Sequence, residues 1–275
     1  MTSVTEDPAT ALVENQDPKV HFRGVEVIYP GEQGGEPVHA LEGIDLAVRD
    51  GEFVSLIGPS GCGKSTLLRV LADLTKPTVG EVRISGETPR TARLKRKVGF
   101  VFQDAALLEW RRVLANVALP LEIQGISRGE RQARASELIH LVGLTGFEQA
   151  FPRQLSGGMR QRAAIARAMS TNPEVMLMDE PFGALDQITR DRLNMELLEL
   201  SQRLRMTVLF VTHSIREAVL LSDRVAVMTP RPGRITEVID IDLPRPRTLE
   251  TRETAAFEEL AKSGMHLLEQ GFGSS

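Results

Sequence analysis

The chain has 275 residues, 41% of them hydrophobic and 25% charged, with a formal net charge of −4 at pH 7. That length supports a large core, the composition is that of a globular protein, and the acidic balance argues against nucleic acid as the main partner. No run of about 18 apolar residues is present, so the chain is not expected to span a membrane by itself.

Residues 1–19 carry Pro8, Pro18 and scattered acids without hydrophobic periodicity, and are expected to form a disordered tail. They lack the basic start and apolar stretch of a secretory signal. One cysteine, Cys62, cannot close an internal disulfide, which suits a reducing compartment.

Residues 21–28 and 39–48 are strand-like, with glycine and proline punctuation between them, and predict an antiparallel sheet at the start of the fold. The apolar run 53–57 leads into Gly58, Pro59, Ser60, Gly61, Cys62, Gly63, Lys64, Ser65 and Thr66, followed by a second apolar run at 67–71. A strand, a glycine-rich loop and a helix form an anion cradle: the glycines let the backbone turn its N–H groups inward, and the helix starts with its positive end toward the anion. In this G-x-x-x-x-G-K-S pattern Lys64 is expected to reach the β- and γ-phosphates of a nucleoside triphosphate and Ser65 to ligate Mg²⁺. Cys62, inside the loop, is expected to serve packing rather than redox control.

Further β-rich runs at 98–102, 175–178, 207–211, 225–228 and 235–243 alternate with stretches long enough for helices, which predicts an α/β fold with a largely parallel sheet. Between 104 and 168 helix formers dominate, and this segment is expected to be a helical insertion. It includes a helix over 128–141 with Ala133, Leu138, Leu141 and Val142 on its apolar side, and another over 159–169. Residues 250–270 predict an amphipathic helix packed on the domain through Phe257, Leu260, Ala261, Leu267 and Leu268. Its polar face is acid-rich, which disfavours a membrane-surface role.

Two more motifs carry chemistry. The buried-strand run 175–178 ends in Asp179 and Glu180. Ligands collect at the carboxyl ends of parallel strands, so Asp179 is expected beside Lys64 and Ser65, holding Mg²⁺, with Glu180 placed to polarise an attacking water. Ser156, Gly157 and Gly158 open a predicted helix and make a second anion site of hydroxyl, free N–H groups and dipole. One nucleotide does not need two such sites.

The order of motifs resolves that surplus. Leu155-Ser156-Gly157-Gly158-Met159-Arg160-Gln161-Arg162 resembles the signature of the ATP-binding-cassette (ABC) ATPases, and Gln103, the run from Met178 to Asp186, and His213 follow that family's order over residues 20–240. The resemblance implies a P-loop NTPase (RecA-like) core with an N-terminal antiparallel β-subdomain and a helical insertion subdomain. It implies a domain over 20–249, with 250–275 as a C-terminal helix and tail. It implies a head-to-tail homodimer in which Ser156, Gly157 and Gly158 of one subunit close on ATP bound by the other. Tyr29 would stack on adenine, Gln103 would sense the γ-phosphate and Mg²⁺, His213 would contact the γ-phosphate and position water with Glu180, and Asp186 would couple the two sites.

A single cassette with a short insertion is similar to the separate ATPase subunit of a membrane importer, held at the cytoplasmic face by permease subunits and served indirectly by a solute-binding protein. The stretch 105–117, with Leu108, Trp110, Val113 and Val117, would form the groove that docks the permease. This stretch and Leu243-Pro244-Arg245-Pro246-Arg247 resemble the nitrate, sulfonate and taurine branch, although Glu109 stands where the family usually has proline. The alternative class is an ABC ATPase acting on a macromolecular or regulatory partner.

Overall fold

The computed structural model describes residues 17–31 and 35–272; the expected disordered tail lies mainly outside the described residues. Nine strands and nine α-helices are present among them. The order is β1 (Val20–Tyr29), β2 (Val38–Val48), β3 (Phe53–Ile57), α1 (Lys64–Leu71), β4 (Val79–Ile84), α2 (Pro89–Leu94), β5 (Val98–Val101), α3 (Val113–Val117), α4 (Leu119–Ile123), α5 (Arg128–Leu141), α6 (Gly157–Met169), β6 (Val175–Asp179), α7 (Gln187–Leu204), β7 (Thr207–Val211), α8 (Ile215–Leu221), β8 (Arg224–Met228), β9 (Ile235–Asp240) and α9 (Ala255–Phe272).

Strands β3, β6 and β7 are buried along their whole length. Continuous apolar runs of this kind belong to parallel strands covered on both faces. They lie in a six-stranded sheet of order β5-β6-β7-β3-β8-β9, parallel from β5 to β8 and closed by antiparallel β9. The expected antiparallel sheet is also present, in the order β2-β1-β4. Its third strand, β4, carries Gly80 at φ +79°, where a Cβ would come within 2.3 Å of the Gly24 carbonyl oxygen. A glycine inside so short a run weakens the alternation that marks a strand, and β4 is absent from the sequence expectation.

Helix α5 spans the expected residues, but its apolar stripe is Ala135, Leu138 and Ile139, continued by Val142. Ala133 is exposed because it lies off that i, i+3, i+4, i+7 series. The expected strand over 235–243 ends at Asp240, with Ile241 and Leu243 buried beyond it. Helix α9 packs Phe257 and Ala261 into a cluster with Ile215, Val219 and Val225, as the amphipathic pattern predicts, while Arg216 lies over the Phe257 ring at 5.0 Å.

Two polar devices join these layers. Arg247 is 3% exposed and donates to the carbonyls of Val219, Leu220 and Ser222 at the end of α8 and to those of Ile241 and Leu243. A guanidinium with five fixed donors caps the orphan carbonyls of a helix end. Burial, with Arg245 nearby, pulls its pKa down to about 10. On the other side of the molecule, Glu174 accepts from Ser85 Oγ at 2.6 Å and pairs with Lys97 at 3.0 Å and Lys19 at 3.2 Å. Lys19 precedes β1, Ser85 follows β4, Lys97 precedes β5 and Glu174 precedes β6, so one carboxylate ties both sheets together.

The Ser85 hydrogen bond, followed by the two lysines and against some desolvation, holds the Glu174 carboxyl at about 2, below its ordinary 4.5. A lowered carboxyl pKa stabilises the fold above the unfolded value, and that contribution is lost as pH falls through the folded value. The thermal midpoint of Glu174→Gln is therefore expected to lie below that of the parent at pH 7 and to converge with it between pH 4.5 and about 2. A constant gap over that range in calorimetry would contradict the assignment.

Candidate functional site

The carboxyl ends of β3, β6 and β7 meet at one edge of the parallel sheet, with β3 and β6 on either side of β7. After β3 the loop turns sharply and hands over to α1 at Gly63, which has φ +105°. A side chain there would strike Leu41 Cδ2 at 2.6 Å and the Ala40 carbonyl at 2.9 Å. Only glycine lets the loop run this close to β2 while adopting a left-handed conformation.

Lys64 is 4% exposed. Its ammonium donates to the carbonyls of Gly58 at 2.8 Å and Pro59 at 2.9 Å, and meets the Cys62 sulfur at 3.7 Å. Two of its three protons are thus held by the loop, while the third faces only a weak sulfur acceptor that a phosphate oxygen readily replaces. Cys62 is buried in the apolar cluster shared with Leu41, Leu56 and Leu67, in keeping with a packing role.

Ser65 Oγ donates to Asp179 Oδ1 at 2.8 Å, bringing the first helix and the end of β6 together as expected. A hydroxyl and a carboxylate side by side are hard oxygen donors, the kind Mg²⁺ selects. Among the described residues no group of three or more His, Cys, Asp or Glu forms a metal cage. The donor set therefore suits a cation that completes its shell with water and phosphate oxygens.

Glu180 follows Asp179 with φ +47°, an uncommon value for a residue with a side chain. Its N–H donates to the Val211 carbonyl at 3.0 Å and its own carbonyl accepts from Gly183 N–H at 3.1 Å. The strained turn aims the carboxylate at His213, whose Nε2 lies 2.5 Å from Glu180 Oε1. Gln103 approaches from the end of β5: its Nε2 and Glu180 Oε2 both lie 3.6 Å from the point where a Cβ on Gly183 would stand.

A cleft of about 210 Å³ is lined by Tyr29, Ser60, Gly61, Lys64, Ser65 and Thr66, with Glu180, His213 and Arg231 on its other wall. Tyr29 Oη stands 3.5 Å from Thr66 Oγ1, so the aromatic shares the cleft with the loop. Arg231 donates to the Gly61 carbonyl at 3.2 Å. Nothing in the sequence marks Arg231, because it reaches the loop from a turn 170 residues away.

Ser156, Gly157 and Gly158 do not line this cleft. Ser156 is the N-cap of α6, exposed, its Oγ accepting from Met159 N–H at 3.3 Å. Side chains at Gly157 and Gly158 would crowd Leu185 at 2.9 Å and Thr189 at 3.0 Å, so both glycines allow close packing on the segment that carries Asp186. Asp186 caps α7, its Oδ1 accepting from Thr189 N–H at 3.0 Å. Backbone hydrogen bonds led by Thr189 hold its carboxyl below the usual range.

Two connections were not anticipated. Gln161, within the signature stretch, donates to the Gln103 carbonyl at 2.6 Å, so α6 touches the backbone of the γ-phosphate sensor candidate. Arg190 donates to the carbonyls of Phe182, Gly183 and Leu185, fixing the loop after Glu180. Both arginine and glutamine are common on helix surfaces, and neither spacing signals such a contact.

The expected permease groove is partly corrected. Val113 and Val117 are fully buried, part of the core between α3, α5 and α6, because α3 turns its apolar face inward. Leu108 is half-buried and Trp110 is 74% exposed. Asn116, wholly buried, accepts from Leu108 N–H at 2.8 Å and donates to the carbonyls of Leu108 and Arg111, which braces the loop presenting Trp110. Among the described residues no helix is long and apolar enough to cross a membrane.

Comparison with known proteins agrees with this geometry. The family model described as ABC transporter matches residues 41–183. An uncharacterised ABC transporter ATP-binding protein of Methanocaldococcus jannaschii is 51% identical over 237 residues, 86% of this chain and 87% of that one. The taurine import ATP-binding protein TauB of Rhizobium johnstonii is 46% identical over 224 residues, 82% of this chain and 84% of its own. Among solved structures, the ATP-binding cassette MJ0796, in a dimeric post-hydrolysis state bound to ADP and Pi, superposes with a TM-score of 0.72 at 36% identity. The match covers 82% of this chain and all of that one. The fold is thus that of the P-loop ABC cassettes, and the chain belongs to the ABC transporter family as an ATP-binding ATPase.

Proposed function

We propose that two copies of this chain bind two ATP molecules head to tail and that their closure drives a membrane permease importing nitrate, a sulfonate, taurine or a similar small solute. The observation that carries the dimer is the separation of the two anion sites. The phosphate loop, Glu180 and His213 share one cleft, while Ser156–Gly158 lie outside it, with Ser156 exposed at the start of α6. A second subunit bringing that helix start across would complete the site. Support for import comes from the kinship with the taurine import ATPase.

In this reading Lys64 and the loop N–H groups bind the phosphates, Tyr29 stacks on the base, and Ser65, Asp179 and Gln103 hold Mg²⁺. That ion would neutralise charge on the β- and γ-phosphates. Glu180 orients and deprotonates the attacking water, and His213, fixed against Glu180, contacts the γ-phosphate. Asp186, at the start of α7, reports the state of one site to the other. Loss of the general base costs about 100-fold or more in turnover. Glu180→Gln is accordingly expected to bind ATP with near-parental affinity and to accumulate as an ATP-bound dimer in gel filtration; brisk turnover by that variant would remove Glu180 from the role.

Complementation tests the dimer. Lys64→Ala spoils one half of each site and Ser156→Arg the other, so each variant alone is expected to be inactive. Their mixture should regain hydrolysis through the one intact composite site. A mixture as inactive as its parts would contradict head-to-tail closure.

The permease is proposed to dock in a groove of about 370 Å³ between β5 and α4. Phe100 and Phe102, stacked at 4.2 Å, line it with Leu119, Pro120 and Ile123, and Arg93 and Arg96 stand at its rim. Apolar floor and basic rim fit an amphipathic helix with acidic flanks. Docking there would hold the ATPase peripherally at the cytoplasmic face. Ile123 is 71% exposed; Ile123→Asp is expected to leave basal ATPase intact and abolish co-purification with the permease. Retained assembly would move the docking surface elsewhere.

A further inference from the structure

Glu217 occupies the first turn of α8, four residues after His213, and is 6% exposed. One carboxylate oxygen, Oε2, is hydrogen-bonded by Thr212 Oγ1. The same hydroxyl oxygen accepts from Ser214 N–H at 3.0 Å, and Ser214 Oγ accepts from Glu217 N–H at 3.3 Å. Thr212, Ser214 and Glu217 therefore close a ring of hydrogen bonds whose first two members flank His213 on either side.

The carboxyl is an expensive choice for this ring. It faces the side-chain amide of Asn194, a fully buried residue of α7. Taking a carboxyl out of water is costly even where hydrogen bonds remain. An apolar residue in the first turn of α8 would avoid that cost and would equally fill the core. What it would not do is grip Thr212. Desolvation raises the proton affinity of Glu217, opposed by the Thr212 and Asn194 contacts and by the charges of Arg190 and Arg252. Glu217 also lines a cavity of about 240 Å³ with Gln103, Glu180, Arg190 and His213, which places it directly behind the reacting groups.

We propose that Glu217 is a positioning residue: through Thr212 it locks the turn that carries His213, so that the imidazole stays against Glu180. The inference rests on the assignment of His213 to the γ-phosphate, and the experiment separates the two. Steady-state ATPase and fluorescent ATP-analogue binding are measured for full-length His213→Ala, Glu217→Ala, Glu217→Gln and the Glu217→Ala/His213→Ala double variant. Glu217→Ala is expected to lower kcat about 10-fold with analogue Kd changed less than about 3-fold, because only the histidine loses its support. Glu217→Gln, which keeps an acceptor and a donor, should recover most of the loss. The double variant should be no slower than His213→Ala, since a residue acting through another has nothing left to act on.

Parental kcat in Glu217→Ala, or losses that multiply in the double variant, would overturn the inference while leaving His213 in place. Parental kcat in His213→Ala would overturn the assignment of the histidine itself, and this inference with it. Should Glu217→Ala fail to fold, Thr212→Val removes the same link from the other end and is expected to show the same kcat loss at constant Kd.

Discussion

The 2.8 Å hydrogen bond from Ser65 Oγ to Asp179 Oδ1 joins residues 114 positions apart, and most of the molecule exists to make it short. Ser65 is placed by the left-handed turn at Gly63 and the start of α1; Asp179 is placed by a strand buried on both faces. Neither position tolerates drift, because a hard cation and a phosphate chain recognise oxygen atoms at fixed separations. The packing of α1 under β2 and the wedge of Leu41 against Gly63 set that pair. Arg231, gripping the Gly61 carbonyl from the far edge of the sheet, closes the loop from the other side.

Around this pair the polar groups fall into two kinds. Lys64, Glu180 and His213 face a shared cleft. Gln161, Arg190, Thr212 and Glu217 are turned toward backbone or toward one another, and hold the first group still. The second kind couples the helical region to the sheet. Gln161 belongs to the helix that begins at Ser156, yet its amide rests on the Gln103 carbonyl, so a rotation of that helix moves the backbone beside Glu180. Helix α6, whose start bears Ser156, is thereby tied to the backbone at Gln103.

The residues that line the cleft were legible in the sequence because a phosphate loop needs particular residues at particular spacings: glycines for the turn, a lysine, a hydroxyl and acids at the end of an apolar run. Strands β3, β6 and β7 announced themselves as short unbroken apolar stretches. The groups that support the site were silent, since Arg231 and Gln161 act through carbonyls, and any donor at the right place would look the same in sequence. β4 went unseen because Gly80 interrupts it while the fold exploits that glycine for a close approach to Gly24. Val113 and Val117 looked like a docking face because periodicity reveals an apolar stripe but not which neighbour covers it; α5 and α6 do.

The order of strands in the sheet has a consequence for how the protein is made. β3, which carries the phosphate loop, pairs only with β7 and β8, at Thr207–Val211 and Arg224–Met228. A ribosome releases β3 long before either partner exists, and loop-bearing strands without neighbours have no sheet to hold them. The strand that carries the phosphate loop therefore lacks both of its hydrogen-bonded neighbours until residues 207–228 have been made.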